Sequence, residues 1–284
     1  MIPLKSAKYD DRETLKDKGA KWSPEDRYWY VPDGKDPSVF RDYMDPLTQM
    51  VFDGIASHMR GLEQQDWMEK SRYSRPENFR AIRYPKLGLP DEFLVLDTET
   101  TGLGQDDEVV ELSLLDSNAN EIYHSFFRPE KEVNYQAAQV SGLTNDKLQN
   151  QPVFKDEWLK IKEQIGGHLI AGHNLQFDRR LIQQTLEKQT GQSHQVEMDV
   201  LFENCIDSYQ MAQRSSVAKG KRSLGQLCEA MGVEYPPNHR SSYDCLGVLY
   251  VLQNFEQKDY GIAQRRLPDL SFLSTQPTDV YEKN

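Results

Sequence analysis

Residues 92–103 read EFLVLDTETTGL, and this stretch decides the fold. Its unbroken apolar run is typical of a strand buried inside a sheet, and it ends in polar residues and a glycine. Because side chains alternate along a strand, Asp97 and Glu99 project from the same face. Two adjacent carboxylates repel each other when ionised, and a divalent cation removes that cost. A solvated acidic strand end is the alternative, but the long apolar run favours a cleft at the sheet edge.

A second segment, residues 168–178, reads HLIAGHNLQFD and precedes a helical pattern from Arg179 to Lys188. This pattern predicts a short strand, a glycine turn and a helix that Asp178 opens. Taken alone, Asp178 is more readily explained as a helix cap than as a metal ligand.

A third segment, residues 238–244, reads NHRSSYD and precedes an apolar helix long enough to be buried. Five residues correspond to about 500 degrees of helix, so His239 and Asp244 do not share a face of one helix. We expect His239 in the loop before the helix and Asp244 on its first turn. A lone loop histidine is usually just exposed, and the same spacing separates His173 from Asp178, so spacing alone decides nothing.

The three segments together resemble the motifs of DEDDh 3′-5′ exonucleases, the superfamily of polymerase proofreading subunits, RNase T and oligoribonuclease. The resemblance covers about residues 91–257. The D-x-E-T-T-G motif matches residues 97–102, H-N-x-x-F-D matches residues 173–178, and H-x4-D matches His239 and Asp244. A sister branch has tyrosine four residues before the final aspartate. Arg240 occupies that position here, which favours the histidine branch.

Two further segments agree with the family, and one pair of residues departs from it. Residues 140–144, VSGLT, and 223–228, SLGQLC, resemble connecting segments of these enzymes. The pair Ser241-Ser242 stands where the family more often has small apolar residues after His-Arg. We expect this departure to affect the packing of the last helix.

The resemblance implies an α/β protein with an RNase H-like mixed sheet flanked by helices. It also implies hydrolysis of phosphodiester bonds with the help of two divalent cations. The expected cation is Mg2+, for which Mn2+ can substitute, and His239 is the expected general base. The implied metal ligands, with Asp97 bridging, are Asp97, Glu99, Asp178 and Asp244. The implied substrate-binding residues are Thr100, Thr101, Gly102, Leu103, His173, Asn174 and Phe177. Leu103 is a candidate wedge between terminal bases, and a core leucine at a strand-to-turn junction is an equally good interpretation.

Composition limits the remaining possibilities. The chain has 284 residues, a net charge of −11 and three cysteines without a C-x-x-C pair, so nothing indicates a thiolate zinc site. The sequence shows neither a membrane-spanning apolar stretch nor a signal peptide, and we expect a cytoplasmic protein with no membrane partner. Residues 91–284 carry 18 basic and 30 acidic residues. We therefore do not expect this part of the chain to neutralise many phosphates of duplex DNA.

Basic residues cluster at two places. Residues 70–86 hold six basic residues against one acid, interleaved with aromatic residues, and this composition suits single-stranded nucleic acid. A solvated linker explains it equally well. Residues 219–222, KGKR, form a second, shorter cluster. The candidate contacts are Arg72, Tyr73, Arg75, Phe79, Arg80, Arg83, Lys219, Lys221 and Arg222.

The chain is predicted to have four parts. Residues 1–44 form a small α+β accessory module that resembles the DUF5710 module of plasmid and phage DNA-processing proteins. Its four aromatic residues, Trp22, Tyr28, Trp29 and Tyr30, either stack on bases or, more readily in so small a unit, form its core. Residues 45–90 form a linking helix and a basic-aromatic linker, residues 91–257 the exonuclease domain, and residues 258–284 a tail. In the tail, Leu270–Phe272 faintly resembles a sliding-clamp-binding peptide, although an apolar strip folding back on the domain is the better interpretation.

The leading functional prediction is a 3′-5′ exonuclease that releases mononucleotides from single-stranded ends. DNA is favoured over RNA because of the associations of the N-terminal module. One alternative is an exoribonuclease that trims RNA 3′ ends or short oligonucleotides. An alternative of another class is a non-catalytic nucleic-acid-binding or interaction protein. The oligomeric state stays open between monomer and homodimer.

Overall fold

The computed structural model describes residues 2–216, 223–233, 235 and 240–260, without the side chains of residues 55, 56 and 58–60. The chain divides into two compact units, Met1–Arg72 and Tyr73–Asn284. Several predicted functional residues lie outside the described residues, namely His239, Lys219, Lys221, Arg222 and the segment Leu270–Phe272.

The first unit is a three-stranded antiparallel sheet packed against helices. Its strands are β1 (Ile2–Leu4), β2 (Lys21–Ser23) and β3 (Tyr28–Val31), in the order β1-β3-β2. Its helices are α1 (Arg12–Asp17) and α2 (Pro46–Lys70), with 3-10 turns at Tyr9–Asp11 and Pro37–Tyr43. The core consists of Leu4, Leu15, Ala20, Val31, Phe40 and Met44.

The aromatic residues of the first unit do not act as one group. Trp29 packs against the core, and Trp22, which is 47% exposed, meets the Trp29 ring edge to face. Tyr28 and Tyr30 alternate with Trp29 along β3 and are half-buried on the other face of the sheet. Only Trp29 therefore fills the core in the way that a small unit requires.

The second unit is built on a five-stranded mixed sheet. Its strands are β4 (Leu94–Thr100), β5 (Val109–Asp116), β6 (Glu121–Phe126), β7 (Ile170–Gly172) and β8 (Cys205–Asp207). The strand order is β6-β5-β4-β7-β8, in which β4 pairs antiparallel with β5 and parallel with β7. The predicted RNase H-like mixed sheet is confirmed, and the segment that opened the sequence analysis is its central strand.

Helices cover both faces of this sheet. They are α3 (Tyr135–Ser141), α4 (Asn145–Leu148), α5 (Phe154–Ile165), α6 (Leu175–Thr190), α7 (Gln195–Leu201), α8 (Ser208–Gln213), α9 (Leu224–Met231) and α10 (Ser241–Gln257). On one face, Leu94 and Leu96 pack with residues of α5, α6 and α7. On the other, Val95 packs with residues of α9 and α10. Leu94, Val95 and Leu96 are all buried between these helices, which explains why the first half of β4 is continuously apolar.

The basic-aromatic stretch is not a linker in the structure. The division of the chain falls between Arg72 and Tyr73, and the residues that follow pack within the second unit. Phe79 and Tyr84 are each 2% exposed, and the Tyr73 hydroxyl donates to the carbonyl oxygen of Ala119 at 3.0 Å. These aromatic residues therefore belong to the core of the second unit, where burial of their rings offsets the cost of ordering the chain.

Across the described part of the chain, no helix combines the length and the apolar character that a membrane span needs.

Candidate active site

Three carboxylates meet where β4 approaches the start of α10. Asp97 and Glu99 are odd-numbered residues of β4 and share the face on which Val95 packs against α10. Asp244 lies in the first turn of α10. One oxygen atom of each of these residues lies within 4.8 Å of the others. The structure therefore brings together three of the four predicted metal ligands.

Asp178, the fourth predicted ligand, is held from the other face of the same strand. It lies in the first turn of α6, and its Oδ1 accepts hydrogen bonds from the Thr98 backbone N–H at 3.1 Å and the Thr98 hydroxyl at 2.8 Å. The N-cap of α6 is Asn174, which has φ 65°, so the interpretation of Asp178 as a simple helix cap is wrong. Asp178 is outside the 4.8 Å group, but its charge acts on Asp97.

Burial raises the pKa values of all four acids, and repulsion from other members of the group adds to the rise for Asp97 and Glu99. The pKa of Asp97 lies well above its ordinary value because of burial, then the charges of Asp244, Asp178 and Glu99. The pKa of Glu99 is raised by burial and by Asp244. Burial raises the pKa values of Asp178 and Asp244 to about 7, although hydrogen bonds to Asp178 from Thr98 and to Asp244 from Tyr235 oppose the rise. Such a cluster favours a bound cation or a bound proton.

The donor set fits a hard divalent cation. The three clustered groups offer carboxylate oxygens only, and such ligands suit Mg2+ or Mn2+ rather than zinc in a thiolate site. Among the described residues, Asp97, Glu99 and Asp244 form no salt bridge with a protein cation. The positive charge of Arg240 acts on Glu99 and opposes the rise in its pKa, but the Arg240 side chain pairs with Glu111.

A buried ion network that the sequence reading missed supports this site. Glu111 lies opposite Glu99 on β5, is fully buried, and accepts hydrogen bonds from Arg240 at 3.0 and 3.1 Å. His124 lies 2.9 Å from the Glu111 carboxylate. Burial raises the pKa of Glu111, but His124 and Arg240 lower it overall. The available signal was an isolated acid within the apolar run VVELSLLD, residues 109–116.

Two further contacts fix the start of α10. The hydroxyl of Tyr235 donates to Asp244 Oδ1. The buried hydroxyl of Ser113 on β5 lies 2.6 Å from that of Ser241 and 2.7 Å from that of Ser242. Ser241 and Ser242, which depart from the family pattern, can therefore be buried here, because Ser113 provides a hydrogen-bond partner for both hydroxyls.

The predicted substrate residues after β4 separate into buried and exposed members. Thr101 is fully buried and donates to Asp107 Oδ1, and Thr100 donates to the carbonyl oxygen of Gly102 at 2.7 Å. A Cβ at Gly102 would lie 2.2 Å from Asn134 Nδ2, so a side chain does not fit there. Leu103 is 78% exposed, so the interpretation of Leu103 as a core leucine is wrong.

The residues of the second motif have structural partners. His173 Nδ1 lies 2.9 Å from the Ser208 hydroxyl, and the backbone N–H of Asn174 donates to Asp207 Oδ1 at 2.8 Å. The ring of Phe177 packs partly against the core of the α6 face and lies under the Arg180 guanidinium at 5.2 Å. These contacts fix the turn that delivers Asp178 to the strand.

The basic-aromatic candidates also separate. The prediction that Phe79 contacts nucleic acid is wrong because its ring is buried, and Tyr73 is partly buried with its hydroxyl paired. Arg75 donates to the carbonyl oxygen of Asn118 at 2.7 Å. Arg72, Arg80 and Arg83 are exposed, so their role in binding stays a prediction.

A five-stranded mixed sheet whose central strand carries two of three clustered carboxylates is the arrangement that the resemblance to RNase H-like nucleases predicts. The sequence profile described as "Exonuclease" matches residues 94–252, which is more than half of the chain. The chain belongs to this exonuclease family.

Relatives share this part of the chain at low identity. The chain is 26% identical over 180 residues to a PolC-type DNA polymerase III of Staphylococcus haemolyticus, covering 61% of this chain and 12% of that protein. It is also 26% identical over 171 residues to the PolC-type DNA polymerase III of Bacillus cereus, and this match covers 59% of this chain and 11% of that protein. The chain thus spans about an eighth or less of the length of these relatives.

Solved structures show a partial likeness. E. coli Exonuclease I in complex with a dT13 oligonucleotide is 17% identical, with 58% of this chain and 41% of that chain covered and a TM-score of 0.48. Exonuclease X in complex with 5′ overhanging duplex DNA is 23% identical, with 60% and 96% covered and a TM-score of 0.42.

Proposed function

We propose that this protein is a DEDDh 3′-5′ exonuclease that removes mononucleotides from the 3′ end of single-stranded nucleic acid, with DNA favoured. The observation that carries the proposal is the acidic cluster of Asp97, Glu99 and Asp244, with Asp178 held beside it. Burial first, and then the negative charges of neighbouring carboxylates, raise the pKa values of Asp97 and Glu99, and divalent cations would relieve the repulsion between these charges.

We assign two Mg2+ ions, with Mn2+ as a substitute, to the four carboxylates. When bound, such cations supply stabilisation of the negative charge that develops during phosphodiester hydrolysis. Thr98 orients Asp178, and Tyr235 orients Asp244, so the ligands are held before any cation binds. This preorganisation supports a catalytic site rather than a solvated acidic patch.

We assign His239 as the general base that takes a proton from the attacking water. A histidine suits this task because its side chain titrates near neutral pH. His239 directly precedes Arg240, which the buried Glu111 carboxylate anchors through three hydrogen bonds. Arg240, the described residue next to His239 in the sequence, is therefore held at the start of α10.

The substrate end is assigned to the segment after β4. Leu103 would separate the terminal base from the next base, because its side chain is apolar and extends into solvent. Thr100 and Gly102 would line the pocket of the terminal nucleotide through their backbone. The preference for DNA rests on the PolC-type DNA polymerase III relatives and on the resemblance of residues 1–44 to a module of DNA-processing proteins.

Matched oligonucleotides test the proposal directly. Single-stranded DNA and RNA of one sequence, labelled at the 5′ end, are incubated with Mg2+, Mn2+ or EDTA. We expect a metal-dependent ladder that shortens from the 3′ end, faster for DNA. Asp97→Ala should abolish it, and Glu92→Gln, which changes an exposed carboxylate just before the same strand, should leave it intact.

Each other outcome assigns a different function. A faster RNA ladder would replace the DNA exonuclease with an exoribonuclease. Binding of either polymer without cleavage in any metal would instead support the non-catalytic interaction protein.

A further inference from the structure

The segment after β4, residues 101–107, is here called the Leu103 loop. Its two ends are buried, at Thr101 and Asp107, while Leu103 between them is 78% exposed. Asp107 closes the loop, because it accepts hydrogen bonds from the Thr101 hydroxyl at 2.8 Å and the Gly104 backbone N–H at 2.6 Å. These contacts define the turn but leave the carbonyl oxygens at its tip without partners inside the loop.

Two side chains of α6 supply those partners. Arg180 donates to the carbonyl oxygens of Leu103 at 3.2 Å and Gly104 at 3.0 Å. Gln184, one helical turn further on, donates to Gly104 at 3.1 Å and to the carbonyl oxygen of Asp107. Arg180 also donates to Gln184 Oε1 at 2.8 Å, so the two side chains act together. The carbonyl oxygens at the tip of the loop are therefore hydrogen-bonded to side chains of α6 rather than to residues of the loop itself.

The same helix carries a proposed metal ligand. Asp178 precedes Arg180 by two residues, and its carboxylate is fixed to Thr98 of β4. The ring of Phe177 lies beneath the Arg180 guanidinium at 5.2 Å and restricts its position. The helix that carries Asp178 therefore also binds the backbone of Leu103, through Arg180.

We propose that Arg180 and Gln184 are positioning residues that hold Leu103 at a fixed place beside the metal site, so that it can unstack the 3′-terminal base. This inference rests on the proposed exonuclease function. An exposed leucine on a mobile loop would be pushed aside by two stacked bases, whereas a leucine whose backbone is fixed resists them. Separation of stacked bases has a cost that the protein must supply by binding.

Two DNA substrates separate this role from a general structural one. They are single strands of one sequence that end either in adenine or in an abasic nucleotide, which has no base to unstack. We expect Arg180→Gln to lower kcat/KM on the adenine-ended strand by roughly tenfold more than on the abasic-ended strand. Leu103→Ala should give the same selective loss. The double variant should have the same kcat/KM on the adenine-ended strand as Leu103→Ala, because positioning by Arg180 has no effect once the leucine side chain is removed.

Control variants sharpen the comparison. Arg179→Gln changes the preceding arginine of the same helix, which pairs with Asp199, and should affect neither substrate selectively. Arg180→Lys keeps the charge but not the two-pronged donor, and should give an intermediate selective loss. Melting temperatures of all variants verify that they are folded.

The outcomes distinguish this inference from the proposed function. Equal losses on both strands, or additive losses in the double variant, would overturn the positioning role alone. A wild-type protein that cleaves neither strand with Mg2+ or Mn2+ would overturn the exonuclease function, and the positioning role with it.

Discussion

Glu99 and Glu111 lie directly opposite each other in the β4–β5 pair, yet their pKa values move in opposite directions. Burial raises the pKa of Glu99, and the neighbouring Asp244 adds to the rise. Glu111 is more completely buried, but His124 and Arg240 supply hydrogen bonds and positive charge that lower its pKa. The strand pair thus separates one carboxylate that the protein neutralises from one that, in the proposed function, binds a cation.

The Arg240–Glu111 pair should contribute strongly to stability. Arg240→Met leaves the buried Glu111 charge without its guanidinium, so we expect the free energy of unfolding to fall by about 3–5 kcal/mol. The double variant with Glu111→Gln should recover part of the loss. Arg83→Met, which removes an exposed partner of Asp91, should change stability little. Urea unfolding measures all three, and an Arg240→Met midpoint equal to that of the wild type would contradict the prediction.

Divalent cations should stabilise the folded protein through the acidic cluster. We expect Mg2+ or Mn2+ to raise the melting temperature of the wild type relative to EDTA, because cations bind the folded site and not the unfolded chain. Asp97→Asn should lose this rise. In EDTA the variant should melt at or above the wild-type temperature, because asparagine cannot ionise at a buried position where neighbouring carboxylates oppose a negative charge. A metal-dependent rise that persists in Asp97→Asn would argue against Asp97 as a ligand.

The stability of the metal-free protein should depend on pH. The pKa values of Asp178 and Asp244 are about 7 in the folded protein, against an ordinary value of 3.8. Between about pH 4 and pH 7 the folded state therefore holds protons that the unfolded chain has lost, and its free energy of unfolding falls as pH rises. In EDTA we expect a loss of at least about 1.4 kcal/mol, the equivalent of one pKa unit.

The Asp244→Asn variant isolates this effect. It removes one of the two titrating groups, so its free energy of unfolding should fall less steeply between about pH 4 and pH 7. Saturating Mg2+ should flatten or reverse the slope of the wild type, because cations favour the ionised carboxylates. Denaturant unfolding at several pH values gives the result. A slope that is the same in variant and wild type would count against the raised pKa of Asp244.

The shared hydroxyl of Ser113 gives a separate test of the start of α10. Ser113→Ala leaves the buried hydroxyls of Ser241 and Ser242 with one partner fewer, and we expect a loss of about 1–3 kcal/mol. The double variant with Ser241→Ala should be more stable than Ser113→Ala alone, because both partners of one bond are then apolar. Ser242 retains its hydrogen bond to Glu121. Thermal unfolding that ranks the double variant lower would refute this account.

Sequence patterns were sufficient for the central strand and the acids around it. The apolar run before Asp97 predicts a buried strand, and strand alternation places Asp97 and Glu99 on one face, as the structure has them. The periodicity and spacing of residues in the sequence cannot reveal which residues of different strands and helices contact each other, because these contacts form only in the folded protein. Glu111, Ser113 and Arg180 therefore went unassigned, although each makes contacts that position the site.

The misreading of residues 73–90 has a different physical cause. Basic residues dominate the composition of this stretch and obscure Phe79 and Tyr84, which are too far apart to form a regular pattern. Irregular segments bury isolated side chains without helical or strand periodicity, so no pattern indicates their burial. Phe79 was accordingly predicted to contact nucleic acid but lies in the core.

The boundary between the two units predicts how truncations behave. Removal of residues 1–72 should leave the nuclease unit folded, because the chain divides after Arg72. Removal of residues 1–90 also deletes the buried rings of Phe79 and Tyr84, and loss of a single buried aromatic side chain already costs about 3–5 kcal/mol. We therefore expect the shorter product to unfold at a much lower denaturant concentration. Equal midpoints for the two truncations would show that residues 73–90 are a linker after all.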